Sequence, residues 1–192
     1  LVATVLAPAA LSLAALSLAG GAMAADVPRA ETVRAAPPKA SPQQRAEARR
    51  LDPLARAAFW GAEFQADPAD AEAGAGLAQA LRGLGRNDDA AEVASQALVA
   101  HPDDQALLLE LARAHIARGQ GFYAIEPARE AQAMAPHDWR IPSLLGVAYE
   151  QAQRNDEALA AHRLAVSLAP DNPSAISNLA LYYAAHGDRA QA

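Results

Sequence analysis

Five histidines, 22 carboxylates and 11 glycines are the side chains of this 192-residue chain with chemistry to offer. The histidines are His101, His115, His137, His162 and His186. No two share the i, i+4 spacing that sets two imidazoles on one helix face around zinc, and no HExxH occurs. Asp70 with Glu72, or Asp88 with Asp89, could act as a carboxylate pair, but each stands where a solvated helix start is expected. There is no GxSxG, no phosphate-cradling glycine loop and no dinucleotide fingerprint. Gly74, Gly76 and Gly83 fall inside helical sequence, where close helix packing accounts for them. Cysteine is absent, which excludes disulfides, thiolate catalysis and cysteine-ligated zinc or iron–sulfur centres. No catalytic residue, metal ligand or cofactor is therefore expected, and the useful question is what surface the elements build.

Those elements are helices. The chain is 52% hydrophobic by a broad count, but 54 residues are alanine, the best helix former and a poor strand former. Small apolar side chains suit close-packed helices, so the fold class expected is all-α. Charge is unevenly spread. Residues 25–50 carry +3 and residues 51–192 carry −9, within a net charge of −6. A folded part this acidic lacks the basic footprint that nucleic acid requires.

Residues 1–24 contain no charge and end in Ala22-Met23-Ala24, the small–x–small pattern of a secretory signal before cleavage. The expectation is a signal peptide lacking its basic leader. An uncleaved membrane anchor is the rival, because about 20 apolar residues can span a bilayer. Either places the folded part outside the cytoplasm, in the periplasm or cell envelope, with membrane contact only through this segment. Residues 25–41 are rich in Ala and Pro and hold almost no large apolar side chain. They are expected to form a disordered tether.

The remainder repeats every 34 residues. Pro68, Pro102, Pro136 and Pro170 share one frame. Ala90, Ala124, Ala158 and Ala192 share another, and Ala97, Ala131 and Ala165 a third. Leu77, Leu111, Leu145 and Leu179 recur likewise, as do Gly85, Gly119 and Gly187, with Gln153 in the remaining repeat. Each frame has a physical role. The leucines start an apolar stripe on a first helix, and the glycines end it in a left-handed conformation. Asn87 and Asn155 suit the N-cap of a second helix. The alanines sit where two helices cross, and the prolines close the second helix. Pro127, early in a second helix, is a possible kink.

This pattern resembles the tetratricopeptide repeat, a helix–turn–helix unit of 34 residues. The resemblance implies an α-solenoid of antiparallel helix pairs wound into a right-handed superhelix. It implies repeats at 71–104, 105–138 and 139–172, a fourth begun over 173–192, and a degenerate capping helix pair over 42–70. The concave wall of such a solenoid comes from the first helices. The groove residues expected there are Gln79, Arg82, Leu109, Arg113, Ile116, Arg140, Val147, Glu150, Ser177, Asn178 and Leu181. Arginine, aliphatic and amide side chains together suit an extended peptide or a helix, and recurring exposed apolar residues on one face suggest a partner. Chaperone-binding members hold a terminal carboxylate with lysine and asparagine. The only lysine here is Lys39, in the tether, so that pattern is not met.

The order of segments narrows the resemblance. Phe59-Trp60-Gly61 leads into Phe64 to Pro68, then Asp138-Trp139-Arg140, Leu144 to Ala148, and Leu168 to Asp171 before Ser177 to Leu181. This is similar to the TadD family of tight-adherence (Flp) pilus assembly proteins over residues 59–192. It implies a non-catalytic scaffold in the envelope whose partners are secretin or pilus-assembly components. Many members are lipoproteins, and this chain has no cysteine to acylate. Two alternatives share the fold: a general periplasmic peptide-binding adaptor, for cytochrome maturation or envelope maintenance, and the regulatory arm of an enzyme lying beyond residue 192.

Overall fold

The computed structural model describes residues 39–187. The expected signal at 1–24, the tether as far as residue 38, and residues 188–192 lie outside the described residues. All nine elements among the described residues are α-helices: α1 Pro42–Ala48, α2 Pro53–Ala66, α3 Ala71–Gly83, α4 Asn87–Ala100, α5 Gln105–Ala117, α6 Gly121–Met134, α7 Arg140–Gln151, α8 Asn155–Leu168 and α9 Pro173–Ala185. None is long and apolar enough to cross a membrane.

Local sequence explains where the helices begin. Asp70, Asp104 and Asn172 cap α3, α5 and α9, each side chain accepting a hydrogen bond from a backbone N–H of the first turn. Gly85 and Gly119 follow α3 and α5 at φ of 75° and 70°, as the glycine frame requires. Gln153 takes the same left-handed conformation after α7 at φ 59°. The asparagine caps are a correction. The residues flanking α4 and α8 are Arg86 and Arg154, and Asn87 and Asn155 are already the first helical residues. The turn is too tight for a side-chain cap. Arg86 N–H donates back to Leu81 O, and Arg154 N–H to Tyr149 O, so one residue both closes a helix and opens the next. Neither start carries a side-chain cap; Arg86 pairs with Asp89 and Arg154 with Glu157 across the first turn. Pro127 lies inside α6, which runs unbroken through it.

Each helix packs on the next, giving a right-and-left zigzag of antiparallel pairs. In addition α3 touches α5, α5 touches α7 and α7 touches α9, whereas α4, α6 and α8 do not touch one another. The odd helices from α3 onward are therefore crowded together on the inside of a curve, and the even helices are spread on its outside. Alanine makes this possible. Ala90, Ala124 and Ala158, and Ala97, Ala131 and Ala165, are all buried at the crossings. The core runs along the solenoid as a chain of small clusters rather than one centre.

The α1 segment is tied down by charge. Arg45 lies buried over the Trp60 ring and donates to Glu63 Oε2 at 2.7 Å, Asp70 Oδ2 at 2.8 Å and Glu72 Oε2 at 2.9 Å. Lys39, assigned by sequence to the tether, reaches Asp67 at 2.7 Å and Asp70 at 3.2 Å. The guanidinium holds the Asp70 carboxyl well below the usual carboxylate range, and Lys39 lowers Asp67.

Candidate functional site

The inner wall between α3 and α5 opens into a groove of about 520 Å³. Gln79, Leu109, Arg113 and Arg140 line it, together with Arg49, Trp60, Glu72, Ala75, Gly76, Asp104, Ala106 and Glu110. Four of the expected groove residues are thus brought together. Their positions follow from helix periodicity, since Glu72, Ala75, Gly76 and Gln79 lie on one face of α3, and Ala106, Leu109, Glu110 and Arg113 on the matching face of α5.

Glu110 organises this site, and sequence gave no hint of it. Its side chain is 6% exposed, yet it bridges two cations. Arg113 Nη1 donates to Glu110 Oε1 at 2.6 Å, and Arg82 Nε donates to Oε2 at 3.1 Å. Arg82 joins the groove through this carboxylate. Arg140 grips Asp138 through Nε at 2.8 Å and Nη2 at 2.6 Å. That bond holds the Asp138 carboxyl below its ordinary value and raises Arg140. Arg49 pairs with Glu72 at 2.6 Å on the N-terminal rim. Glu110 and Asp138 are recessed beneath Arg113 and Arg140, whereas Glu72 on the rim is itself well exposed. Glu110 and Asp138 are 6% and 17% exposed, against 31% for Arg113 and 65% for Arg140. A lining with balanced formal charge therefore presents guanidinium to an incoming group. This is short-range recognition chemistry, in which the planar fork suits carboxylates.

The remaining expected groove residues lie further along the inner helices, outside this pocket. Ile116 is half-buried and packs against the α5–α6–α7 core cluster. Glu150 is bound to the buried His162 through Nε2 at 2.6 Å, tying α7 to α8. Asn178 Nδ2 donates to Ser143 Oγ at 2.7 Å, tying α9 to α7. Val147 is half-buried, Ser177 is exposed, and Leu181 is 67% exposed. Trp139 is half-buried, and Tyr182 and Tyr183 are buried with α8. Burial raises the Tyr182 hydroxyl above its usual range. Among the described residues no group of three His, Cys, Asp or Glu is placed to hold a metal ion. The histidines act singly in packing: His101 bonds Ala69 O, His115 bonds Gln120, and His162 bonds Glu150.

Helix pairs at this repeat, with an inner wall and an outer wall, define the fold. It is a tetratricopeptide-repeat solenoid. The family model for the tetratricopeptide repeat matches residues 71–114. Among solved structures, "MamA 41-end from Desulfovibrio magneticus RS-1" is similar with a TM-score of 0.68 at 21% identity, over 77% of this chain and 84% of that one. "MamA MSR-1 C2" gives 0.65 at 19%, over 78% and 86%. "Crystal structure of MamA" gives 0.65 at 21%, over 78% and 85%. At these identities the likeness is one of fold. No curated protein matches the sequence. Protein–protein interaction is the work this fold supports, through the wall that the inner helices form.

Proposed function

We propose that this chain is a non-catalytic scaffold that holds an extended segment of a protein partner in the groove along α3, α5, α7 and α9. The observation that carries the reading is the recessed Glu110 beneath Arg82 and Arg113: a buried carboxylate that arrays cations toward an open inner wall. A photo-crosslinking residue at Gln79, on the inner wall, tests it against one at Glu92, exposed on α4. The expected result is partner capture from position 79 alone. Capture from 92 alone, or from neither, overturns the groove.

We further propose that the scaffold works in the cell envelope. Support comes from the uncharged segment 1–24 with its Ala22-Met23-Ala24 ending. The assembly it would serve is a tight-adherence pilus or secretion machine, supported by the segment order shared with the TadD family. A secretin or pilus-assembly component among the captured proteins is the expected finding. Normal pili and normal secretin multimers in a deletion strain would rule that role out.

A further inference from the structure

Resting on the groove reading above, we infer that the groove recognises a partner segment bearing an acidic residue and an aliphatic residue six positions apart, the acid seated on α5 and the aliphatic side chain on α9. Gln79, Arg113, Val147 and Leu181 stand 34 residues apart, at one position of four successive inner helices. Along that row the wall changes from amide to guanidinium to aliphatic. The α5 end offers Arg113 and the adjoining Arg82, both held by the one buried carboxylate of Glu110 and each still about a third exposed. Arg82 spends only its Nε on that carboxylate and Arg113 only its Nη1, which leaves further N–H groups of each fork for a ligand oxygen. The α9 end offers Leu181, 67% exposed and the aliphatic member of α9 at the position Arg113 holds on α5. An exposed leucine in register with an arginine is a two-part surface, and charge complementarity assigns the acid to the α5 end.

The spacing follows from the packing. Successive inner helices touch directly, and such helices lie about 8–10 Å apart. Two steps from α5 to α9 span about 16–20 Å. An extended chain advances about 3.3 Å per residue, so five or six residues cover the distance. Side chains of an extended segment alternate between faces, so only an even separation turns both anchors toward the wall. That selects six.

The test is an array of ten-residue Gly/Ser peptides, each with one glutamate and one leucine at every separation from two to eight, in both orders, probed with the purified chain. The expected signal peaks at six and is lost when lysine replaces the glutamate. Arg113→Gln keeps a donor toward Glu110 and should remove the preference for glutamate, and Leu181→Ser the preference for leucine. Each loss should be about tenfold, the effect of one modest anchor. Unchanged thermal melts of both variants establish that the fold is retained. Binding weakened by both variants, but indifferent to glutamate or to separation, overturns this inference and leaves the groove standing. Binding untouched by either variant overturns the groove itself. If no peptide binds, the two-anchor inference fails, and capture from Gln79 alone decides the groove.

Discussion

Gly76→Ala should destabilise the protein although alanine is the better helix former. Gly76 sits in α3 against the indole of Trp60. A β-carbon there would lie 2.5 Å from Cδ2, 2.6 Å from Cε2 and 2.9 Å from Cγ. Carbon atoms are comfortable at about 3.5–4.0 Å, so three ring atoms would need to move by about 1 Å. Trp60 is 1% exposed and clustered with Ala48, Phe64, Ala73 and Leu107, so it has little room to retreat. Overpacking of this kind costs about 1–3 kcal/mol, and the upper end applies here. The helix-propensity gain is about 1 kcal/mol. The net loss is about 2 kcal/mol. Gly83→Ala, in the same helix, supplies the control. Its β-carbon would meet nothing nearer than Pro53 Cβ at 4.0 Å, so the propensity gain is unopposed. Urea unfolding followed by far-ultraviolet circular dichroism separates the two. With a slope of about 2 kcal/mol/M, Gly76→Ala lowers the midpoint by about 1 M, and Gly83→Ala raises it by up to about 0.5 M. A Gly76→Ala midpoint at or above the parent, with unchanged slope, would refute the packing of α2 against α3 and with it the floor of the groove.

Ala158→Arg places a long cation at a fully buried helix crossing and should cost about 3 kcal/mol or more, lowering the melting temperature by about 6–12 °C; an unchanged melt would show the alanine frame to be misplaced. Gln153→Gly relieves a left-handed backbone at φ 59° and should raise stability by about 1 kcal/mol in the same assay; a lower melting temperature would contradict that. Acid should loosen the N-terminal end, because Arg45 lowers Asp70 and Lys39 lowers Asp67. Their folded values lie below the unfolded ones, so this stabilisation is complete above the ordinary carboxylate range near pH 4, begins to fall there, and is gone only once pH has dropped through the lowered folded values. Protection of α1, corrected for the intrinsic pH dependence of amide exchange, should begin to fall below about pH 4 and keep falling to about pH 2, before the repeats respond; α1 protection that persists unchanged to about pH 2 would argue against the charge tether.

The period was legible because it records what every repeat has in common. A crossing at Ala90 meets the same kind of neighbour as one at Ala124 or Ala158, so the same small side chain recurs. A helix that turns back within three residues needs a left-handed position, and Gly85, Gly119 and Gln153 share it. The asparagine caps were misplaced because that turn merges two helix ends into one residue, a coupling that no local pattern displays. Glu110 was invisible for a different reason. Its counterparts are Gly76, Leu144 and Asn178, so nothing in the frame marks it, and only the approach of α3 to α5 supplies Arg82 as its second partner. Lys39 likewise looked like tether until the fold set Asp67 and Asp70 beside it.

Positions shared by all repeats can grip only what repeats along a ligand, such as its backbone. Specificity has to lie where equivalent positions differ and remain accessible. The row Gln79, Arg113, Val147 and Leu181 meets both conditions. The first turn of α6 meets them on a different part of the solenoid: it exposes Phe122 and Tyr123 where α4 and α8 carry Asp88-Asp89 and Asp156-Glu157. Only the inner row also has a buried group, Glu110, that fixes its cations in place. Preorganisation of that kind lowers the entropy lost on binding, and it distinguishes a built recognition surface from side chains that simply face water.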